Sequence, residues 1–369
     1  MVKKMKNFYK KIDYVILFVV VVLFLIGALA LYSASHGAGG NEAEFSKQLM
    51  WFGVGVFAMF VALFFDYKHF KRIWLLMYLI FIVLLVLVLF TNRNNGATSW
   101  FKVGSISVQP SEFVKIVMII SLASIIDDLV SKKTLNKIWN VLLLCIVIGI
   151  PTLLIIKQPD YGTAIVLLFV FCVMLYYAGI DYKYIIAAVV ACIVGLPLAY
   201  NYVLPEHAKN RIMVFLNPGL DPKGAGYNVI QSELAVGSGK TFGMGLMSGN
   251  QTQLGMLPMK TTDFIFSVIG EEMGFFVSAL IVLLFLLLLV RIINVAYNSK
   301  NTFGNLICVG VFAMLLAHFV ENIGMTIGLM PITGIPLPFI SYGGSSMITN
   351  MIAIGLVLSV NARKKKHGL

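Results

Sequence analysis

Uninterrupted apolar segments of about 20 residues recur along this chain, and they constrain its fold more than any other feature. A helix needs roughly 20 apolar residues to cross a hydrocarbon core about 30 Å thick. Of the 369 residues, 59% are hydrophobic and only 12% are charged, which is far more apolar than a soluble domain of this length. The sequence therefore predicts a polytopic membrane protein.

Ten such segments are present, and we expect each to be a helix. Barrel strands alternate lipid-facing and lumen-facing residues, whereas these runs are continuous. The predicted fold is all-α, a single membrane domain over residues 1–369 with about ten transmembrane helices. The predicted spans are Tyr14–Tyr32, Gln48–Phe65, Ile73–Phe90, Phe113–Ile126, Ile138–Ile156, Ala164–Ile180, Tyr184–Tyr202, Phe264–Ile293, Phe303–Leu329 and Ser346–Val360.

Basic residues set the predicted orientation. An even number of spans puts both termini on one side of the membrane, and positive charge favours the cytoplasmic side. Most of the 28 Lys and Arg residues lie in the two terminal tails and in the alternate loops that share their side. The net charge of +12 therefore reflects topology and affinity for anionic membrane lipid, and we expect no nucleic-acid binding.

Residues 203–263 form a long connection between the seventh and eighth spans, and this topology makes it a large extracytoplasmic loop. Loops of this length are uncommon unless they are functional or disordered, and the amphipathic stretch Tyr227–Val236 indicates structure against the membrane surface. Gly237–Thr241 reads GSGKT, but Leu234 stands where a phosphate loop needs glycine. Lys240 is a candidate for contact with a phosphate-bearing lipid, and a merely solvated lysine is the alternative.

The end of this loop is the strongest candidate for chemistry. The stretch Gly249–Gly274 runs from a polar, glycine-containing loop into an apolar helix, with Asp263 at the junction. An acid at a boundary between water and lipid can ionise beside an apolar wall, and a polar residue there suggests function. The alternative is that Thr261, Thr262 and Asp263 only cap the next helix.

A second candidate cluster surrounds the start of the fourth span. Lys115 follows Glu112 by one helical turn, so the two side chains can pair. A lone charge in lipid is costly, and Lys115 therefore needs an acid, either Glu112 or Asp160, or an anionic ligand such as a lipid diphosphate. An internal ion pair that pins the spans together is the structural alternative.

Polar residues also lie inside two later spans. His318, Glu321 and Asn322 share one face of the ninth span, where they can form a polar relay or hold helices together. Glu271 and Glu272 lie in the eighth span and cannot both avoid lipid. At least one of these two carboxylates should therefore point into the bundle.

Taken together, the motifs resemble those of the SEDS proteins, the shape, elongation, division and sporulation polymerases of bacterial cell walls, over essentially the whole chain. The segment Gln251-Thr-Gln253 makes the chain more similar to the RodA elongation branch than to the FtsW division branch. The motifs that carry the resemblance are Trp100, Gln109-Pro-Ser-Glu-Phe113 with Lys115, Gln158-Pro-Asp-Tyr-Gly-Thr163, Asn217-Pro218, Gly224-Ala-Gly-Tyr227, Gln251-Thr-Gln-Leu-Gly255, Thr262-Asp-Phe-Ile-Phe266, Glu271-Glu272 and Pro336-Leu-Pro-Phe-Ile-Ser-Tyr-Gly-Gly-Ser-Ser346.

The resemblance implies a peptidoglycan glycosyltransferase of the bacterial cytoplasmic membrane that joins lipid II units on the outer face, for cell elongation and shape. It also implies a class B penicillin-binding protein as transpeptidase partner, and it puts the family's essential acid at Asp263. Family members often have Leu-Pro-Glu and a His just before Thr-Asp-Phe, whereas Met259 and Thr261 stand here. Any catalytic role of that Glu or His is therefore unassigned in this chain.

Attack of a sugar 4-hydroxyl on an anomeric carbon needs a carboxylate for the hydroxyl proton and positive charge for the departing diphosphate. We assign the first role to Asp263 and the second to Lys115, Arg211 or Lys240. A divalent cation, Mg²⁺ or Mn²⁺, is a candidate cofactor with Asp263 as a ligand, and no nucleotide or haem is expected. The residues predicted to bind substrate are Trp100, Gln109, Ser111, Glu112, Lys115, Asp160, Arg211, Lys240, Gln251, Gln253, Thr262, Ser341, Tyr342 and Ser345.

Two other classes of function fit the same composition. A transporter that flips the lipid-linked precursor would also have buried ionisable residues, but it needs a central cavity open alternately to both sides, whereas the polar residues here concentrate on the outer face. A non-catalytic scaffold for a transpeptidase is the other class. The sequence leaves open whether the role is in elongation, division or sporulation.

Overall fold

The computed structural model describes residues 12–91, 99–103, 106–202, 206–222 and 224–364. The all-α prediction is confirmed, because the sheet in these residues is only a small antiparallel hairpin, β1 (Phe101–Val103) and β2 (Ile106–Val108). The helices are α1 (Tyr14–His36), α2 (Ala43–Phe64), α3 (Tyr67–Val88), α4 (Pro110–Ser131), α5 (Ile138–Lys157), α6 (Tyr161–Tyr177), α7 (Tyr182–Tyr202), α8 (Glu206–Leu216), α9 (Ala225–Ser238), α10 (Asn250–Gln253), α11 (Ile265–Tyr297), α12 (Thr302–Thr326) and α13 (Gly344–Ala362).

The ten predicted spans coincide with α1 to α7 and α11 to α13. Seven described helices, α1, α2, α3, α5, α11, α12 and α13, are long and apolar enough to cross a membrane. The apolar parts of α6 and α7 are shorter, and α4 has 22 residues but carries the charges of Glu112 and Lys115. The chain is therefore a multi-pass membrane protein. Most of the basic tail residues behind the predicted orientation lie outside the described residues.

The helices differ greatly in how deeply they are buried. The most apolar window of α13 is 89% buried and that of α12 is 78% buried, whereas the window of α3 is only 17% buried. Helix α12 packs against α11, α6, α4 and α13, and α13 lies along α2. At Gly355 the two backbones approach so closely that an added Cβ would lie 2.5 Å from the Met59 carbonyl oxygen. Such close approach through small residues is typical of helices packed in membranes.

The connection at residues 203–263 is folded onto the bundle. It contains α8, a short 3₁₀ turn at Pro218–Leu220, α9 and α10, and α9 confirms the structure indicated by the amphipathic stretch within it. Ser232 on α9 is buried, and its hydroxyl contacts the Ser267 hydroxyl at 2.7 Å and donates to the Thr326 carbonyl at 2.8 Å. These bonds fasten the loop to α11 and α12.

Helix α11 is broken at Gly274, where φ is 76° and ψ is −171°. The segment that follows α9 crosses the break and pairs with it through the backbone. Met244 N–H donates to the Glu271 carbonyl at 2.9 Å, and Phe275 N–H donates to the Lys240 carbonyl at 2.9 Å. The eighth span lies where it was predicted, but its interruption was not predicted from the sequence.

Candidate functional site

A cavity of about 340 Å³ lies at the end of the bundle where α4, α6, α11 and α13 begin, which we call the cavity end. Nine residues predicted from sequence line it: Trp100, Gln109, Glu112, Asp160, Arg211, Thr262, Asp263, Tyr342 and Ser345. The other lining residues are Ser99, Pro159, Met259, Thr333, Gly334, Pro336, Gly343 and Ser346. The cavity therefore gathers residues from five distant parts of the sequence, and all except Arg211, which lies within α8, stand near the end of a helix or in a loop.

The turn that carries Asp263 is held by its backbone carbonyls. The Thr261 carbonyl accepts from Tyr342 N–H at 2.9 Å, and the Thr262 carbonyl accepts from the Ser341 hydroxyl at 2.6 Å. The Asp263 carbonyl accepts from Asn322 Nδ2 at 2.9 Å. Three consecutive carbonyls are thus bonded, and the Asp263 side chain is left to face the cavity.

The Asp263 carboxyl group is partly buried, and burial raises its pKa to about 6, although the Thr262 hydroxyl and the Arg211 guanidinium act to lower it. Gly334 lies across from it, since a Cβ added there would be 3.5 Å from Asp263 Oδ2. The capping alternative is wrong, because α11 starts at Ile265 and its N-cap residue, Phe264, makes no side-chain cap bond.

Of the three cations proposed for the leaving group, Arg211 lines the cavity. Lys115 is 1% exposed and lies beneath the cavity, where its Nζ contacts Glu112 Oε1 at 2.8 Å and His318 Nε2 at 2.8 Å. This is the ion pair given as the structural alternative. Lys240 lies beside the break in α11 and does not line the cavity, so its predicted contact with substrate remains a prediction.

The polar face of α12 lies directly under the cavity. His318 Nδ1–H donates to the Pro336 carbonyl at 3.3 Å, which leaves Nε2 to accept from the Lys115 ammonium. Glu321 is buried in the same region, and its Oε2 has no hydrogen-bond partner among the described residues. The face therefore joins α4 to the loop before α13, as in the alternative that it holds helices together, and a polar relay along it remains a prediction.

Asp160 organises the cavity end instead of standing free in it. Its Oδ1 accepts from Thr163 N–H at 3.2 Å and caps α6, and its Oδ2 accepts from Gln109 Nε2 and from the Ser111 hydroxyl, both at 3.0 Å. Gln109 N–H in turn donates to the Ser345 hydroxyl at 3.0 Å. This network ties the starts of α4, α6 and α13 together. Ser111 was predicted to bind substrate, but it belongs to this network and does not line the cavity.

The predicted site residues Gln251 and Gln253 lie away from the cavity, in α10. Glu271 Oε1 accepts from Gln251 N–H at 2.7 Å and so caps this short helix. Gln253 Nε2 donates to Glu272 Oε1, as does the Ser33 hydroxyl of α1, both at 2.8 Å. Both glutamates are buried, which confirms that the eighth span points acid into the bundle. A role of the two glutamines in binding substrate remains a prediction.

Several lining residues were missed from sequence. Ser99, Thr333 and Gly334 lie in loops without a recognisable chemical pattern. Thr333 and Gly334 reach the cavity because the loop before α13 folds back over Asn322, whereas the Ser99 hydroxyl donates to the Gln158 carbonyl at 3.0 Å. Gly334 has a φ of 75°, a conformation that glycine adopts readily. The glycine itself was therefore the one sequence signal for this part of the wall.

The fold and the cavity define a multi-pass membrane protein with an acid at a polar cavity, at the start of a membrane-spanning helix. The chain belongs to the family of FtsW, RodA and SpoVE, whose family model, described as "Cell cycle protein", matches residues 13–366.

Relatives of known name match nearly the whole chain. Peptidoglycan glycosyltransferase RodA of Treponema pallidum (strain Nichols) is 34% identical over 95% of this chain and 98% of its own length. Stage V sporulation protein E of Bacillus subtilis (strain 168) is 38% identical over 95% of this chain and 96% of its own. A solved structure described as "Structural coordination of polymerization and crosslinking by a peptidoglycan synthase complex" superposes with a TM-score of 0.81, at 28% identity over 95% of this chain and 97% of that one.

Proposed function

We propose that this chain is a peptidoglycan glycosyltransferase that polymerises lipid II on the outer face of the cytoplasmic membrane, with a role in cell elongation and shape. The observation that carries the proposal is the partly buried Asp263 carboxylate, which shares one polar cavity with Arg211 in a chain whose relative is named as such an enzyme. The lipid tail of the substrate remains in the bilayer while its sugars enter the cavity end.

Asp263 and Arg211 supply the two functions that the reaction needs. The acceptor's 4-hydroxyl oxygen attacks the anomeric carbon of the donor, and Asp263 takes the hydroxyl proton. The bond from that carbon to the lipid diphosphate breaks, and the leaving diphosphate keeps the electron pair. Arg211 stabilises this charge, and positioned positive charge is effective in a site that excludes water. The configuration at the anomeric carbon is inverted.

The raised pKa of Asp263 suits a general base. A carboxylate at its ordinary pKa of 3.8 binds a proton weakly, whereas burial raises the pKa to about 6. Proton transfer is favoured when the pKa of the base lies near the working pH. At neutral pH most Asp263 side chains are still ionised, so the group is both available and more basic than an exposed aspartate.

A divalent cation would have to be held jointly by the protein and the substrate. Among the described residues no cluster of three or more His, Cys, Asp and Glu side chains could hold a metal ion. Mg²⁺ is commonly held by one or two carboxylates together with substrate phosphates, and Asp263 is the carboxylate that would contribute here. When bound, the cation would add positive charge at the leaving diphosphate, beside Arg211.

Orientation and partners complete the proposal. The basic loops favour cytoplasmic termini, which puts the cavity end on the outer side of the membrane. A class B penicillin-binding protein would crosslink the emerging strand as transpeptidase partner, and the superposed structure is described as one in which polymerization and crosslinking are coordinated. Lipid II and membrane lipids are the remaining partners, and no nucleic acid takes part.

The transporter and scaffold alternatives are less well supported. A flippase needs a cavity that opens alternately to both sides of the membrane. The described cavity lies at one end of the bundle, where α4, α6, α11 and α13 begin. A scaffold would not need an acid with a raised pKa beside a partly buried arginine. Flipping of labelled lipid II without polymer would favour transport.

The direct test is Asp263→Asn in purified chain reconstituted with lipid II, with Mg²⁺ or Mn²⁺ present or chelated. We expect loss of polymer by a factor of about 10² to 10⁴, the usual contribution of a general base. Asp181→Asn is the matched control, because Asp181 is half-exposed, pairs with Lys183 and lies at the opposite end of α6. Native polymer yield from folded Asp263→Asn protein would refute the proposal.

A further inference from the structure

Asn322 is completely buried within α12, yet its side chain bonds to two loop segments and not to a neighbouring helix. Nδ2 donates to the Asp263 carbonyl at 2.9 Å and to the Ile335 carbonyl at 2.7 Å. An amide that holds membrane helices together bonds across to groups of the facing helix. Here both acceptors belong to turns at the cavity, so helix association does not explain the arrangement.

The orientation of this amide is fixed by chemistry. Two carbonyl oxygens can only accept hydrogen bonds, so the NH₂ group with its two donors must face them. As a result Asn322 Oδ1 points away and has no partner among the described residues. A buried acceptor without a partner costs free energy, and the position of Asn322 is therefore not explained by stability alone.

The same face of α12 holds the next carbonyl as well. His318, one helical turn before Asn322, donates from Nδ1 to the Pro336 carbonyl at 3.3 Å. Consecutive carbonyls of Ile335 and Pro336 are thus fixed to α12, next to Gly334, which lies across the cavity from the Asp263 carboxylate. The distance between the acid and the opposite wall is set from this one helix face.

We infer that Asn322 is a positioning residue for Asp263, an inference that rests on the proposed glycosyl transfer. It fixes the carbonyl of the residue that takes the proton and, through the same nitrogen, the wall that faces it. Without Asn322 the carboxylate loses its alignment with the attacking hydroxyl. Arg211 and the remaining walls still bind the lipid diphosphate, so turnover should fall while KM for lipid II stays the same.

The first test is Asn322→Leu, which keeps the approximate volume and removes both bonds. We expect turnover to fall about 100-fold, the effect that a misplacement of about 1 Å can have, with KM unchanged. Asn140→Leu is the matched control, because Asn140 Nδ2 also donates to a backbone carbonyl, that of Thr134 at 2.7 Å, but lies at the start of α5, far from the cavity end. A change in KM with unchanged turnover would overturn the inference.

The second test measures positioning without activity. Hydrogen exchange of Tyr342 N–H and Leu337 N–H reports the two turns, since these groups bond to the Thr261 carbonyl and the Ser341 hydroxyl. Asn322→Leu should speed this exchange in the wild-type chain and equally in the Asp263→Asn chain. The exchange result therefore stands even if Asp263→Asn proves active and the proposed function fails.

Unchanged exchange together with native turnover in folded Asn322→Leu protein would overturn the inference. If that variant does not fold, Asn322→Ser replaces it, because a serine hydroxyl has one proton and cannot bridge the two carbonyls. The same exchange and kinetic outcomes decide the question for the serine variant.

Discussion

At the scale of single residues, the charged groups at the cavity differ in whether their side chains already have partners. Lys115 and Asp160 are charged groups at or near the cavity, but each already has its hydrogen-bond partners. Lys115 contacts Glu112 and His318, and Asp160 accepts from the α6 backbone and from the Gln109 and Ser111 side chains. Asp263 instead has its backbone fixed and its carboxylate directed at the cavity. This difference supports the proposal that Asp263, among several acids, is the one that takes the proton.

The raised pKa of Asp263 predicts how turnover depends on pH. The carboxylate is the active form, so turnover should be full well above the folded-state pKa of about 6 and fall as the pH drops through it. One unit below the pKa, about a tenth of the carboxyl groups are ionised, and turnover should be about tenfold lower. The two other acids that line the cavity already have partners, Lys115 for Glu112 and the Gln109 and Ser111 side chains for Asp160.

Steady-state polymerisation between pH 5 and pH 8 measures this fall in turnover, which forms the acid limb of the pH–rate profile. The residual activity of Asp263→Asn serves as the control, because it should lack the limb near pH 6. If that variant keeps the same limb, another group titrates and the assignment of the base is wrong.

At the scale of helices and loops, much of the fold could be predicted because hydrophobic length is a local property. Ten spans were located from apolar runs, and the fourth was predicted too short, as Phe113–Ile126 instead of Pro110–Ser131. The omitted ends hold Glu112, Asp127 and Asp128, which hydropathy treats as polar. Glu112 is neutralised by Lys115, and the two aspartates pair with Lys71. The break at Gly274 depends on a loop about 30 residues upstream and could not be read locally.

The glycine-rich crossing over α11 predicts different effects for two neighbouring glycines. A Cβ added at Gly239 would clash with the Gly270 carbonyl oxygen, whereas one added at Gly237 meets no atom within 4 Å. Gly239→Ala should therefore destabilise the fold by about 1–3 kcal/mol through overpacking. Gly237→Ala should be neutral or stabilising by up to about 1 kcal/mol, because Gly237 lies within α9 and alanine favours helix.

Thermal unfolding of the two purified variants in the same detergent measures the difference. We expect a lower Tm for Gly239→Ala and an equal or higher Tm for Gly237→Ala. Equal melting temperatures would mean that the loop does not cross α11 as closely as described.

At the scale of the whole molecule, the site could be predicted only in part. Asp263 was found because it marks a boundary between a polar loop and an apolar span, which is a local pattern. The choice among Lys115, Arg211 and Lys240 was left open, since it depends on which loops meet across long sequence separations. Of the three, Arg211 lines the cavity, because the connection at residues 203–263 folds back over the ends of the helices, and no period or motif in the sequence encodes that return.

The orientation of the chain decides whether the cavity can meet lipid II outside the cell, and it predicts which lysines are reachable. Lys68, in the first turn of α3, and Lys240, in the connection at residues 203–263, are both exposed. In a cysteine-free background, a membrane-impermeant maleimide should label Lys240→Cys in intact cells and Lys68→Cys only after permeabilisation. The expectation follows from the excess of basic residues in the loops on the side of Lys68. The reverse labelling would put Asp263 on the cytoplasmic side, and polymerisation on the outer face would then be impossible for this chain.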